Sequence, residues 1–175
     1  MNNIVLIGFM GSGKTTLGQW MSQMVHMDFI DTDEYIEKKT GKKISDIFAN
    51  EGEEYFRSLE TQALSDLMGR RETVISVGGG LPVRECNRQL MRKLGVVVYL
   101  RADKDTLIER LQGDTTRPLL AGDNLAHKVD MLMEARKDIY LDAADVVIDT
   151  DGRSLEEIYN ELEDKIVEHI QKGNE

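Results

Sequence analysis

Apolar residues fall along the chain in two patterns. Short runs rich in β-branched residues, at 4–7, 29–30, 74–77, 96–100 and 146–148, do not alternate with polar ones, as expected of strands buried on both faces. Between them lie stretches with helical spacing, such as 17–25 and 59–68. The last of these, 154–171, places Leu155, Ile158, Leu162, Ile166 and Ile170 on one face. It opens with Ser154 three residues before Glu157, the signature of a capping box. Strands alternating with helices predict an α/β fold with a parallel sheet covered on both faces. The polar stretch 113–122 interrupts the helical pattern, has glycine at each edge and Arg117-Pro118 near its centre, and is expected to form a mobile lid rather than an ordinary loop.

With 175 residues, 41% hydrophobic and 31% charged, the chain is sized for one domain with a core that needs no disulfide or metal. Cys86 is the lone cysteine, which excludes an internal disulfide and a cysteine-based zinc site. His26, His127 and His169 fit no zinc spacing. No apolar run approaches the roughly 18 residues of a membrane span. The chain passes from Met1-Asn2-Asn3 straight into an apolar run without a basic flank, so the expectation is a cytoplasmic protein without a signal peptide. The 22 Lys and Arg against 32 Asp and Glu give a net charge of -10, a field that repels nucleic acid and anionic membrane. An anionic ligand therefore needs local positive contacts.

Such contacts are concentrated in Gly8-Phe9-Met10-Gly11-Ser12-Gly13-Lys14-Thr15, which satisfies G-x-x-x-x-G-K-[ST] between an expected strand and an expected helix. Glycines allow consecutive backbone N–H groups to cradle phosphate oxygens, the helix N-terminus adds positive potential, Lys14 reaches the β/γ-phosphates, and the Thr15 hydroxyl suits Mg²⁺. These residues predict a nucleoside triphosphate site. Asp31 and Asp33 follow at the end of the second expected strand. If that segment stays extended, alternation turns both carboxylates to one site, one near the metal and one near a substrate hydroxyl; the alternative is that they cap a helix from Glu34. Gly78-Gly79-Gly80 at another strand end suits a close backbone approach to substrate more than a simple turn. Arg57, with Glu60 one helical turn away to orient it, joins Arg117 in the expected lid and Arg136 beyond it as candidate anion ligands. Each alone is more often a solvated surface residue. No N-K-x-D motif appears, which counts against a GTPase switch, and no second acid follows the strand ending at Asp149. Size, phosphate loop and lid point to a small-molecule kinase.

Taken in order, GFMGSGKTT, FIDTDEYIE, Phe56-Arg57 with Glu60, VGGG, TTRPLL and the Ala135-Arg136 helix resemble shikimate kinase from about Asn2 to the last helix. The resemblance implies a three-layer P-loop kinase fold with a five-stranded parallel sheet, helices on both faces and a mobile lid. It implies one kinase domain over 1–175, with a substrate-binding region at about 33–61 and the lid at about 112–124. The implied reaction moves the ATP γ-phosphoryl group to the 3-hydroxyl of shikimate, on the route to aromatic amino acids. Position by position, Lys14, Asp33 and Arg117 take the catalytic roles, with Asp33 on the shikimate hydroxyls. Gly11, Ser12, Gly13, Lys14, Thr15 and Thr16 bind phosphates, and Arg110 and Arg153 sandwich adenine. Arg57 and Arg136 clamp the shikimate carboxylate, Gly79 and Gly80 meet its ring, and Ile44, Phe48 and Phe56 wall the pocket. Thr15 ligates Mg²⁺, with Asp31 and Ser76 acting through water. A monomer is the family expectation. Two other readings stay open at this point: another metabolite kinase of the same fold, such as gluconate kinase, and a catalytically silent nucleotide-binding regulator.

Overall fold

A computed structural model describes residues 3–173; the start of the chain at Met1-Asn2, where the absence of a leader was read, lies outside them. The strands are β1 (Asn3–Ile7), β2 (Asp28–Asp31), β3 (Thr73–Ser76), β4 (Gly95–Arg101) and β5 (Val146–Asp149). The helices are α1 (Lys14–Val25), α2 (Thr32–Thr40), α3 (Ile44–Glu51), α4 (Glu53–Asp66), α5 (Glu85–Leu94), α6 (Lys104–Leu111), α7 (Leu125–Ala143) and α8 (Leu155–Lys172). The five strands form one parallel sheet in the order β2-β3-β1-β4-β5. Among the described residues no helix is long and apolar enough to cross a membrane.

The unbroken apolar runs are explained by a helical layer on each face. Along β1, Val5 and Ile7 point into a core with Leu64 of α4, Met91 of α5, Leu107 of α6 and Tyr140 of α7. Ile4 and Leu6 point the other way, onto Leu17 and Met21 of α1 and Ile158 and Leu162 of α8. Each such side chain contributes about 1.5–3 kcal/mol when fully buried, so neither face of the central strand tolerates a polar residue cheaply. A third, smaller cluster of Ile36, Ile47, Phe56 and Ala63 ties α2, α3 and α4 together.

Helix ends follow local chemistry. At α8 both halves of the expected capping box are made: the Glu157 N–H donates to Ser154 Oγ at 3.2 Å, and the Ser154 N–H to Glu157 Oε2 at 2.7 Å. The α4 helix begins at Glu53, ahead of the apolar periodicity that marks 59–68, because Gly52 at φ +86° separates it from α3. Residues 112–124 do link α6 to α7, but they are not wholly irregular: Pro118–Leu120 forms a 3₁₀ turn that buries Leu120.

One expectation is corrected. The segment from Asp31 to Asp33 does not stay extended, since β2 ends at Asp31 and α2 begins at Thr32, two residues ahead of Glu34. Asp31 caps that helix: its Oδ1 accepts from the Asp33 N–H at 2.9 Å and the Glu34 N–H at 3.2 Å. Free backbone N–H groups at a helix start draw an acceptor, and an aspartate there outweighs continued strand pairing. Asp31 and Asp33 still meet one cavity, but through a strand end and a first helical turn, not through strand alternation.

Candidate active site

Parallel order brings the carboxyl ends of β1, β2 and β3 side by side, and the crevice outside strand ends is where an open α/β sheet receives ligands. A cavity of about 950 Å³ opens there. Every site residue expected from the sequence lines it, the apolar Ile44, Phe48 and Phe56 included.

The loop after β1 is shaped by its glycines. Gly13 caps α1 in the left-handed region at φ +93°, and Gly8 sits at φ +152°, where a Cβ would come within 2.6 Å of the Leu100 carbonyl oxygen. Lys14, the first residue of α1, curls over this loop, and its Nζ donates to the carbonyl oxygens of Gly8 at 2.8 Å and Phe9 at 2.9 Å. Burial brings its pKa down to about 8, with the nearby Arg117 charge acting in the same direction. Gly11, Ser12, Gly13 and Thr16 complete the cradle. Arg110 of α6 donates to the Gly11 carbonyl at 2.9 Å. Arg153 is fixed by the carbonyls of Asp149 at 2.9 Å and Glu157 at 3.1 Å, and it pairs with Glu161.

Thr15 Oγ1 donates to Asp31 Oδ2 at 2.8 Å, and strand register sets Asp31 beside the buried Ser76. Among the described residues no group of three or more histidine, cysteine or acidic side chains could by itself hold a metal. The available set is instead three neighbouring oxygen-bearing residues, with the Asp31 carboxylate already engaged by Thr15 and the α2 cap. Hard oxygen donors, few in number, fit a magnesium ion that keeps waters and substrate phosphates in its shell.

Across the cavity, Asp33 stands on the first turn of α2. Its Oδ1 is buried without a protein partner among the described residues, and burial, aided by Asp31, raises its pKa to about 6. Arg57 Nη1 donates to Glu60 Oε2 at 2.8 Å and Nη2 to Glu53 Oε1 at 3.1 Å. Burial works against the Arg57 charge, but the two carboxylates outweigh it and raise its pKa. Glu60 is buried, which pushes its own pKa up to about 7 in spite of Arg57. The guanidinium lies on Gly80, where a Cβ would be 2.5 Å from Nη1. Arg136 of α7 is buried, stands 6.0 Å over the Phe9 ring, and has an Nη1 with no partner among the described residues. Arg117, 3.5 Å from Asp114, acts electrostatically on both Lys14 and Asp33.

Sequence reasoning missed three supports. Tyr140, one turn past Arg136 on α7, donates its hydroxyl to the Gly79 carbonyl at 2.5 Å, and Thr32 Oγ1 accepts the Gly78 N–H at 3.1 Å, so the glycine backbone is held from both sides. Glu53 is the third. Spacing of four residues links Arg136 to Tyr140 and Glu53 to Arg57, and was the available signal in both cases.

Comparison with known proteins decides the family. The shikimate kinase family model matches residues 10–167. The chain belongs to the shikimate kinase family. A shikimate kinase of Bacillus anthracis is 44% identical over 168 residues, covering 96% of this chain and 100% of that protein. In structure, the shikimate kinase from Acinetobacter baumannii in complex with shikimate superposes with a TM-score of 0.92 at 34% identity, covering 96% of this chain and 94% of that one. A gluconokinase from Sinorhizobium meliloti 1021 reaches a TM-score of only 0.56 at 19% identity, a likeness of fold alone. Membership of the shikimate kinase family accounts for the five-stranded sheet and the phosphate loop as one inherited unit, and it weighs against the gluconate kinase reading.

Proposed function

We propose that the chain transfers the γ-phosphoryl group of ATP to the 3-hydroxyl of shikimate, giving shikimate 3-phosphate and ADP. The observation that carries this reading is the buried Oδ1 of Asp33, without a partner among the described residues, in a cavity lined on one side by the Lys14 loop and on the other by Arg57 and Arg136. A polyol carboxylate is the acceptor such a site suits: Asp33 receives a hydroxyl hydrogen bond while the two guanidinium groups receive the carboxylate.

In this reading the cradle of Gly11, Ser12, Gly13, Lys14, Thr15 and Thr16 holds the nucleotide phosphates, and Arg110 and Arg153 flank the base. Thr15, supported by Asp31 and Ser76, would hold Mg²⁺, and the ion would supply positive charge that neutralises the nucleotide phosphates. Asp33 orients the 3-hydroxyl and takes its proton as the oxygen–phosphorus bond forms and the bond to ADP breaks. Lys14 and Arg117 stabilise charge on the moving phosphoryl group. Gly79 and Gly80 offer backbone to the acceptor ring, and Ile44, Phe48 and Phe56 cover its apolar side. Residues 33–61 then act as the acceptor-binding region, and 112–124 as a lid that excludes water. The reading extends to a monomer working in the cytoplasm on a free metabolite, with no nucleic-acid or membrane partner, consistent with the net charge of -10.

The test is ADP release from Mg-ATP with shikimate, gluconate or a nucleoside monophosphate as acceptor. Strong stimulation by shikimate alone is expected. Stimulation by another acceptor would overturn the substrate assignment, and none by any acceptor, with ATP still bound, would favour a silent regulator.

A further inference from the structure

The two arginines assigned to the substrate carboxylate are prepared differently. Arg136 is buried with Nη1 unpartnered among the described residues, whereas Arg57 already serves two carboxylates of its own helix. Those two are unequal. The Glu60 side chain is 1% exposed and Glu53 is 51% exposed. Glu60 is wedged against the glycine turn, since a Cβ at Gly78 would lie 3.0 Å from its Oε1, and it has nowhere else to go. Glu53 is the first residue of α4. An acidic side chain there keeps its favourable place at the positive helix end in any outward rotamer. Exposed ion pairs of this kind hold weakly, so Glu53 gives up Arg57 readily.

We infer that Glu53 is a detachable internal competitor for the substrate carboxylate on Arg57, and that it sets the affinity of the acceptor site. The inference rests on the reading of Arg57 as a carboxylate ligand. A guanidinium has five N–H donors, and Glu60 permanently holds part of that set. A third carboxylate arriving beside Glu53 and Glu60 would crowd acidic groups around Arg57, a repulsion that Arg136 offsets only in part and that is relieved when Glu53 swings to solvent. Glu53 and the substrate therefore exchange on Nη2. The consequence has a definite sign: removing the Glu53 charge strengthens acceptor binding. A residue that merely oriented Arg57 would have the opposite effect.

Calorimetry and steady-state kinetics on the full chain separate these cases, using wild type, Glu53→Gln and Glu53→Ala with shikimate and with its neutral carboxamide. Both variants are expected to bind shikimate about 3–10-fold more tightly, with the change in KM for shikimate rather than in kcat, and with little gain for the carboxamide. Weaker binding in Glu53→Ala would make Glu53 an orienting residue, and unchanged binding in both variants would remove it from the site; either result overturns the inference. An equal gain for the carboxamide would also overturn it, because no carboxylate is then being contested. Wild type is measured first, and absence of shikimate-dependent turnover there would sink the functional reading rather than the exchange alone.

Discussion

One stretch of chain, Gly8 to Thr15, makes most of the phosphate side of the cavity, and it does so largely with backbone. The acceptor side is assembled from Asp33 on α2, Arg57 and Glu60 on α4, Gly78 to Gly80 after β3, and Arg136 on α7. The first half is a local shape that strand β1 and helix α1 impose together. The second exists only because the sheet order sets β3 between β1 and β2 and because Tyr140 and Thr32 clamp the glycine backbone. A contiguous backbone site fails when the chain cannot adopt its shape. A dispersed side-chain site fails when one group is displaced while the fold stands.

The sharpest separation of the halves is expected from Asp33→Asn. The amide cannot take the hydroxyl proton, so kcat should fall by about 10²–10⁴-fold, while the KM for ATP should stay within about twofold. Turnover near that of wild type would remove Asp33 from the chemistry. A matching loss of ATP affinity would show that the two halves are not independent.

Two glycines, one from each half, give the next largest contrast. Gly80 has φ −93° and ψ −8°, values open to alanine, but a Cβ there would lie 2.5 Å from Arg57 Nη1 and 2.6 Å from Nη2. Gly80→Ala should therefore fold and raise the KM for shikimate about tenfold by moving the guanidinium. Gly8→Ala would bring a Cβ against backbone, 2.6 Å from the Leu100 carbonyl oxygen, so its loss should be read in unfolding rather than in affinity. If Gly80→Ala instead lowers stability with shikimate affinity unchanged, the acceptor half is not built as described.

The same contrast explains what could be read from sequence. The phosphate loop was legible because its spacing and its chemistry occupy consecutive positions, and strands 4–7 and 96–100 were legible because burial on both faces removes polar residues from them. The glycine triplet was readable on its own as a close backbone approach at a strand end, but Arg57 and Arg136 were recognisable only through their order relative to the other motifs, since an isolated arginine carries no sign of what it faces. The extended reading of Asp31 to Asp33 failed because a side chain immediately before a helix start has two uses for its oxygens, and the cap won. Tyr140 went unread because its four-residue spacing from Arg136 places it on the same face of α7 but says nothing of the distant Gly79 carbonyl that it holds.

A smaller effect is expected from pH. Burial holds the Glu60 proton to about 7 in the folded protein, whereas an exposed glutamate releases it near 4.5. Between these values the folded state binds more protons than the unfolded one. The resulting stabilisation is complete below about 4.5 and is lost as pH rises through about 7. Glu60→Gln is neutral at every pH and lacks this dependence, so its Tm should gain on that of wild type by a few degrees between pH 5 and 8. Asp33 and the other acids remain in both proteins, so the difference reports Glu60 together with its coupling to Asp33. A difference that stays flat across this range would mean that Arg57 keeps Glu60 ionised and that burial does not dominate the acceptor half.

The mildest change probes the edge of the phosphate side. Ser154 caps α8 immediately after Arg153, so Ser154→Ala removes one half of the capping box and loosens the loop that carries a proposed base contact. Loss of such a cap costs about 1 kcal/mol, or a Tm lower by about 2–4 °C for a domain of this length. The KM for ATP should change by no more than about twofold, because Arg153 keeps its bonds to Asp149 and Glu157 and the phosphates are held elsewhere by backbone. A tenfold rise in that KM with Tm unaltered would place the nucleotide affinity in the loop ahead of α8. The phosphate side would then be as dispersed as the acceptor side, and the distinction between a local and an assembled half would not hold.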